Sequence, residues 1–243
     1  MDSPHDALIG NLKEHSVLRD EDSAEIRRLS FTSREFAPDV DFIRQGDRPE
    51  AAALVVSGMV ARYHLLRGGR RQYLSFHIAG DLPDAQGLFL ERMDHALCAI
   101  GRAIVAFIPH RELLRAFERS PSVGLAFWRE TLRDAAIFRE AITNNSARPM
   151  ATRMAHLFCE LFYRARVSKL NKGNRCSIPL TLVQLGEALG MGIATVNRTL
   201  QQLRATGAAD FRDGELLVVK WRELQDLGDF DPTYLHCKKQ RLL

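Results

Sequence analysis

The sequence is short of the residues that define several protein classes. Its four cysteines, Cys98, Cys159, Cys176 and Cys237, lie far apart, and no C-x-x-C pair occurs. That spacing argues against a disulfide framework and suits a reducing compartment. No run approaches the roughly 18 consecutive apolar residues of a membrane-spanning helix, so no membrane partner is expected. The opening residues, Met1-Asp2-Ser3-Pro4-His5-Asp6, lack a basic stretch followed by an apolar one. No secretory leader is therefore predicted, and a cytoplasmic location is expected. No H-x-H or E-x-x-H pair is present, which leaves no obvious metal ligand set. Internal repeats and low-complexity segments are missing as well.

What is there is an ordinary globular composition with charge unevenly spread. Residues 145–243 hold 15 Lys and Arg against 9 Asp and Glu, whereas residues 1–144 hold 19 against 21. A basic C-terminal third is the electrostatic footprint of a polyanion binder. Residues 8–30 read as an amphipathic helix with Leu12, Val17, Leu18, Ile26 and Leu29 between charges. From about 31 to 108 the pattern shortens into strands. "AALVVSGMVARYHLL" and "RRQYLSFHIAGD" flank Arg67-Gly68-Gly69-Arg70, a hairpin signal, and "HALCAIGRAIVAFIP" reads as a strand pair broken at Gly101. A small all-β barrel or sandwich follows. A long helix is predicted over Arg111–Ile142, with a break near Ser120-Pro121. Leu125, Trp128, Leu132, Ala135 and Ile142 recur on it at three- and four-residue steps, with Arg139 in the same stripe. So narrow a stripe reads as a seam between two subunits, the alternative being packing within one domain. Asn144-Asn145-Ser146 reads as a hinge. Residues 147–165 read as a further helix with Met150, Met154, Leu157, Phe158, Leu161 and Phe162 inward, followed by a basic loop, "RVSKLNKGNRCSIP".

The stretch "LTLVQLGEALGMGIATVNRTLQQLR" (180–204) carries the sharpest signal. Thr181 and Gln184 form a capping box, Gly190 ends the first helix, and the second starts near Gly192 and stops before Gly207. Leu182, Leu185, Leu189, Val196, Leu200 and Leu203 make an apolar back, and Gly186 is small where the helices cross. Ile193, Ala194, Thr195, Asn197, Arg198 and Gln201 make the front. "AADFRDGELLVVKW" then reads as a hairpin around Asp213-Gly214. Two helices with a glycine turn and a following wing form a winged helix-turn-helix, which reads double-stranded DNA. Arg198 suits guanine, Asn197 and Gln201 suit base edges, and Ile193 or Ala194 suits a thymine methyl. Thr181 and Thr195 suit phosphate.

With these motifs in place, the chain resembles the Crp/Fnr superfamily of bacterial transcription regulators over about residues 14–228. "FIRQGD" (42–47), "LVVSGMVARYHLLRGGRRQYLSFHIAGD" (54–81), "GLF" (87–89) and residues 180–211 carry the resemblance. It implies an α+β fold: an N-terminal β-roll of the double-stranded β-helix or jelly-roll type, a long dimerisation helix and a C-terminal winged helix-turn-helix. The expected boundaries are a cyclic-nucleotide-binding-like sensor at 14–115, a dimerisation helix at 116–144, a DNA-binding domain at 145–228 and a C-terminal tail at 229–243. It also implies a homodimer on a near-palindromic operator, with RNA polymerase as a partner and no enzymatic activity.

The sequence departs from the family at its ligand sites. Anchored on Gly87-Leu88-Phe89, the cyclic-nucleotide cassette places Ala85 where the family has Glu, His95 where it has Arg and Ala96 where it has Ser or Thr. Those exchanges remove the sugar and phosphate ligands, so independence from cyclic nucleotides is expected. No cysteine precedes Cys98, so an iron–sulfur cluster has no ligands and no cofactor is expected. The helix that reads DNA has Ala194 where members reading TGTGA- or TTGAT-type half-sites carry Glu, which implies a different operator. Other readings stay open: haem or metal on His64, His77 or His95 of the β-roll, a redox-sensitive Cys176 near Lys169 and Lys172, a cupin-type metal-dependent enzyme, and a protein-binding winged helix. The effector is not legible.

Overall fold

A computed structural model describes residues 3–238. The chain opens with two short helices, α1 (Pro4–His15) and α2 (Asp20–Ile26), where the periodicity predicts one. Caps cause the break. Ser16 is extended, and the backbone N–H of Arg19 donates to the Asp22 carboxylate at 2.8 Å, which starts a new helix. Val17 is left exposed between them, while Leu8, Ile9, Leu12, Ile26 and Leu29 are buried.

The strands are β1 (Thr32–Phe36), β2 (Asp41–Ile43), β3 (Ala51–Leu65), β4 (Arg71–Ile78) and β5 (Ala96–Pro109). They form one sheet in the order β1-β5-β3-β4, with β2 also on β5. The Leu66–Arg70 turn joins β3 to β4 as anticipated, closed by the Leu66 N–H on the Arg70 carbonyl at 2.9 Å. The expected break at Gly101 is absent: β5 is a single strand of 14 residues. Its left-handed Gly101 is accommodated because β3 shifts register opposite it, between Val55 and Met59. Gly58 makes that shift possible. Its φ is +80°, and a Cβ there would strike the Arg102 carbonyl. Two cores result. One holds Ile43, Ala53, Val55, Val60, Met93, Leu97, Ala99, Ala103 and Val105 within the strands. The other joins α1 and α2 to α3 (His110–Arg119) and the start of α4 (Pro121–Ala147).

The anticipated break at Ser120-Pro121 is present, with the Ser120 hydroxyl donating to Asp22 at 2.7 Å. The anticipated hinge at Asn144-Asn145-Ser146 is not. Helix α4 runs through it, because Asn144 is buried and donates to the Arg153 carbonyl at 3.2 Å, and the Ser146 hydroxyl bonds back to Ile142 O at 2.7 Å. The helix stops at Pro149, whose ring disfavours the α conformation in the residue before it. Helix α5 (Met150–Val167) buries Met154, Phe158, Leu161 and Phe162, whereas Met150 is exposed rather than inward because it sits at the first turn.

The remaining elements are β6 (Arg175–Ser177), α6 (Leu182–Leu189), α7 (Ile193–Ala205), β7 (Ala209–Arg212), β8 (Glu215–Val218) and α8 (Trp221–Leu227). A small antiparallel sheet runs β6-β8-β7, so the basic loop read from the sequence contains a strand. The segment expected to be a tail is packed over its described part. Phe230 lies among His156, Tyr163, Trp221 and Tyr234, and Leu235 and Cys237 are buried. Residues 239–243 lie outside the described residues. The chain forms two compact bodies: one from the chain up to Arg70 with Phe76–Ala135, the other from Arg71–Ser75 with the chain from Ala136 on. The fold class is α+β.

Candidate nucleic-acid interface and sensor interior

Helices α6 and α7 follow the local chemistry of their ends. The Thr181 hydroxyl accepts from the Gln184 N–H at 3.2 Å, and the Gln184 side chain accepts from the Thr181 N–H at 2.9 Å. Gly190 is left-handed at φ 67° and closes α6. Gly186 is required by a close approach, since a Cβ there would lie 2.5 Å from the Met191 carbonyl in the turn. Helix α7 then turns Val196, Thr199, Leu200 and Leu203 inward. Ile193, Ala194, Asn197, Arg198 and Gln201 are exposed on its other side, and Thr195 is half-buried. Thr181 is exposed but already serves as a cap, so its oxygen is engaged within the helix end.

The wing is the predicted two-residue hairpin, with Asp213 and Gly214 both at positive φ. Asp210 at its base accepts from Arg204 of α7 at 2.7 Å and pairs with Arg212 at 2.8 Å. Although burial acts to raise its pKa, these two guanidiniums hold the carboxyl below its ordinary range. Cys176 lacks the exposed, electropositive setting of a reactive thiol. It is buried in β6, and burial followed by the Glu215 charge pushes its pKa up to about 12. The neighbouring lysines do not activate it, because the side chain points into the core.

In the body that holds β1, β3 and β5, Ala85 begins a 3-10 turn (Ala85–Phe89), and Ala96 begins β5. All three cassette positions, Ala85, His95 and Ala96, are buried. His95 Nδ1 lies 2.5 Å from an Asp94 carboxylate oxygen. Burial, then the positive charge of Arg62, lowers its pKa to about 4, so the ring is neutral near pH 7 and offers no cation to a phosphate. The cation in this interior is Arg62 of β3, 2% exposed. Its Nη1 donates to Asp134 of α4 at 2.9 Å, and its Nη2 donates to the Pro83 carbonyl. Asp84 alongside accepts from the Ala53 N–H at 2.6 Å, and complete burial raises its pKa to about 7. Ala85, His95 and Ala96 supply neither a carboxylate nor a guanidinium, and the guanidinium of Arg62 is already paired within the chain. The sequence reading missed Arg62, Asp84 and Asp134. The available signal was Arg62 itself, a charge inside the apolar run "GMVARYHLL".

Helix α4 turns Glu130, Arg133 and Asp134 inward, while Arg129 and Arg139 are exposed. His15 pairs with Glu130 at 2.9 Å, and Arg133 pairs with Asp81 at 3.0 Å and Glu14 at 3.3 Å. Its apolar stripe faces out instead. Leu125 is 59% exposed, Trp128 60%, Leu132 48% and Ile142 68%, with Ala135 half-buried. Among the described residues no group of three His, Cys, Asp or Glu is close enough to hold a metal ion, and no helix is long and apolar enough to cross a membrane.

The arrangement matches two families in sequence. The cyclic nucleotide-binding domain family matches residues 33–120, and the Crp-like helix-turn-helix domain family matches residues 152–227. The chain belongs to the Crp/Fnr superfamily. Among its relatives is the transcriptional activator protein FnrL of Cereibacter sphaeroides, 22% identical over 192 residues, which are 77% of each protein. Electron transport regulator A of Shewanella oneidensis is 20% identical over 227 residues, 92% of this chain and 89% of that one. Among solved structures, FixK2 of Bradyrhizobium japonicum superposes with a TM-score of 0.73 at 24% identity, covering 82% of this chain and 98% of that one. This Crp/Fnr chain is therefore a DNA-binding transcription regulator rather than an enzyme.

Proposed function

We propose that this Crp/Fnr regulator acts as a homodimer on a near-palindromic operator and does so without a cyclic nucleotide. The exposed face of α7 carries the reading: Arg198, Asn197 and Gln201 point outward while Val196, Thr199, Leu200 and Leu203 hold the helix from behind. In each half-site Arg198 reads a guanine, Asn197 and Gln201 meet base edges, and Ile193 and Ala194 meet apolar base surface. Thr195 and the Thr181 end of α6 approach phosphate. The exposed Leu125, Trp128, Leu132, Ala135 and Ile142 stripe supports pairing through α4, because a repeat of alternating three- and four-residue steps suits a coiled-coil seam. RNA polymerase is the partner implied by the family resemblance.

Selecting bound sequences from random DNA tests this reading and yields the operator. Arg198→Ala should then weaken operator binding by roughly 1–3 kcal/mol per half-site and relax preference at one base pair. Thr195→Ala should weaken all sequences alike. If Arg198→Ala keeps the wild-type ranking of single-base variants, Arg198 is not a reader.

A further inference from the structure

The sensor interior contains a charge that the DNA-reading function does not use. Arg62 is buried in β3, and its guanidinium is held from two sides. Pro83, two residues before the cassette position Ala85, supplies a carbonyl, and Asp134 of α4 supplies a carboxylate at 2.9 Å. His95, at the other end of the cassette, is near enough to feel its charge. The guanidinium thus bonds beside one end of the cassette, and its charge reaches the other. A buried guanidinium is tolerated only where partners replace its water, and here the Asp134 carboxylate and the Pro83 carbonyl do so.

We propose that Arg62 is a built-in occupant of the sensor. Its guanidinium takes the interior position that a regulatory ligand would take, and its pair with Asp134 ties β3 to α4 with no ligand bound. This rests on the reading of the chain as a nucleotide-independent regulator and supplies the reason for that independence. Charge balance supports it. The Arg62 charge is already met by Asp134, so an incoming anion would face the Asp134 carboxylate instead of a free cation. Direction supports it too. The inward side of α4 sets Arg133 against Asp81 and Asp134 against Arg62, and hydrogen-bonded ion pairs fix one helix orientation where apolar contacts permit sliding.

The test uses the full chain and a small guanidinium as probe. Arg62→Ala should leave a cavity beside an orphaned Asp134 and weaken operator binding on the order of tenfold, a normal size for coupling between two sites. Ethylguanidinium chloride should restore part of that affinity and raise the melting temperature of Arg62→Ala, whereas sodium chloride of equal ionic strength should not. In the wild type, ethylguanidinium chloride should act no differently from sodium chloride of equal ionic strength. A folded Arg62→Ala with wild-type operator affinity, or with no ethylguanidinium response beyond that of salt, overturns the proposal. If Arg62→Ala does not fold even with the probe, Asp134→Asn decides. It keeps the shape and removes the charge partner, so wild-type operator affinity in that variant also refutes the inference. A wild-type chain that selects no sequence from random DNA sinks the regulator reading instead. The melting arm with ethylguanidinium still reports on Arg62 in that case.

Discussion

Asp84 shows how one side chain sets the conditions under which this sensor body is stable. Its carboxyl is fully buried and accepts from the Ala53 N–H, and burial, which disfavours the charged form, raises its pKa to about 7. Its ordinary pKa in an unfolded chain is near 3.8. The folded state therefore holds a proton that the unfolded state releases, and the sign follows from linkage. The stability contributed by neutral Asp84 is full below about pH 4, declines as pH rises between the two pKa values, and is gone above about pH 7. Asp84→Asn should keep the bond from Ala53 and abolish the titration. Against wild type it should gain little at pH 5 and up to a few kcal/mol at pH 8. Denaturant melts at the two pH values check this; an equal difference at both means Asp84 is already ionised in the fold. The same scale separates residues the sequence reveals from those it hides. Thr181, Gln184 and Gly190 are legible because caps depend on neighbours three or four positions away. Arg62, Asp84 and Asp134 are not, because their partners are 21 to 72 positions distant in the chain.

Among the elements, α4 has two faces that obey different rules. Inward it combines Val123, Ala126 and Phe127 with the charged Glu130, Arg133 and Asp134, and outward it exposes Leu125, Trp128 and Leu132. Replacing Trp128 and Leu132 by Asp should leave the inward contacts intact. The expected result is a folded monomer that no longer retains the operator, since one half-site surface is too small for tight specific binding. Sedimentation and circular dichroism report on it, and a variant that still sediments as a dimer moves the interface elsewhere. Elements whose signal is local were read well, including the two helices and turn of residues 181–205 and the β7–β8 wing. Those that depend on distant pairing were read poorly. Strand β6 carries little local signal because its three residues pair with β8, about 40 residues on, and only Arg175 has a near partner, in Lys172. The unbroken β5 looked like two strands because its Gly101 is matched by a register shift in β3 that no local pattern reveals.

For the whole molecule, the question is what changes its activity. With the cassette positions occupied by Ala85, His95 and Ala96, cyclic AMP or cyclic GMP at about 1 mM should neither shift the melting temperature nor alter operator affinity. At that concentration even a site of millimolar affinity would be half filled. Calorimetry that detects a micromolar complex overturns this. Salt should act instead. The chain from residue 145 on carries six more basic than acidic residues, so operator affinity should fall steeply with ionic strength as phosphate contacts release counterions.

The packed segment after α8 bears on synthesis. Phe230 and Leu235 are core residues of the body that holds α5, α7 and the wing, yet they follow all of those elements in chain order. Helices α5, α6 and α7 emerge from the ribosome with that place in their core still empty. The DNA-reading body therefore completes its folding only after translation has passed residue 237, whereas the sensor body before it has all of its β-strands much earlier. A nascent regulator gains its sensor first and its grip on DNA last.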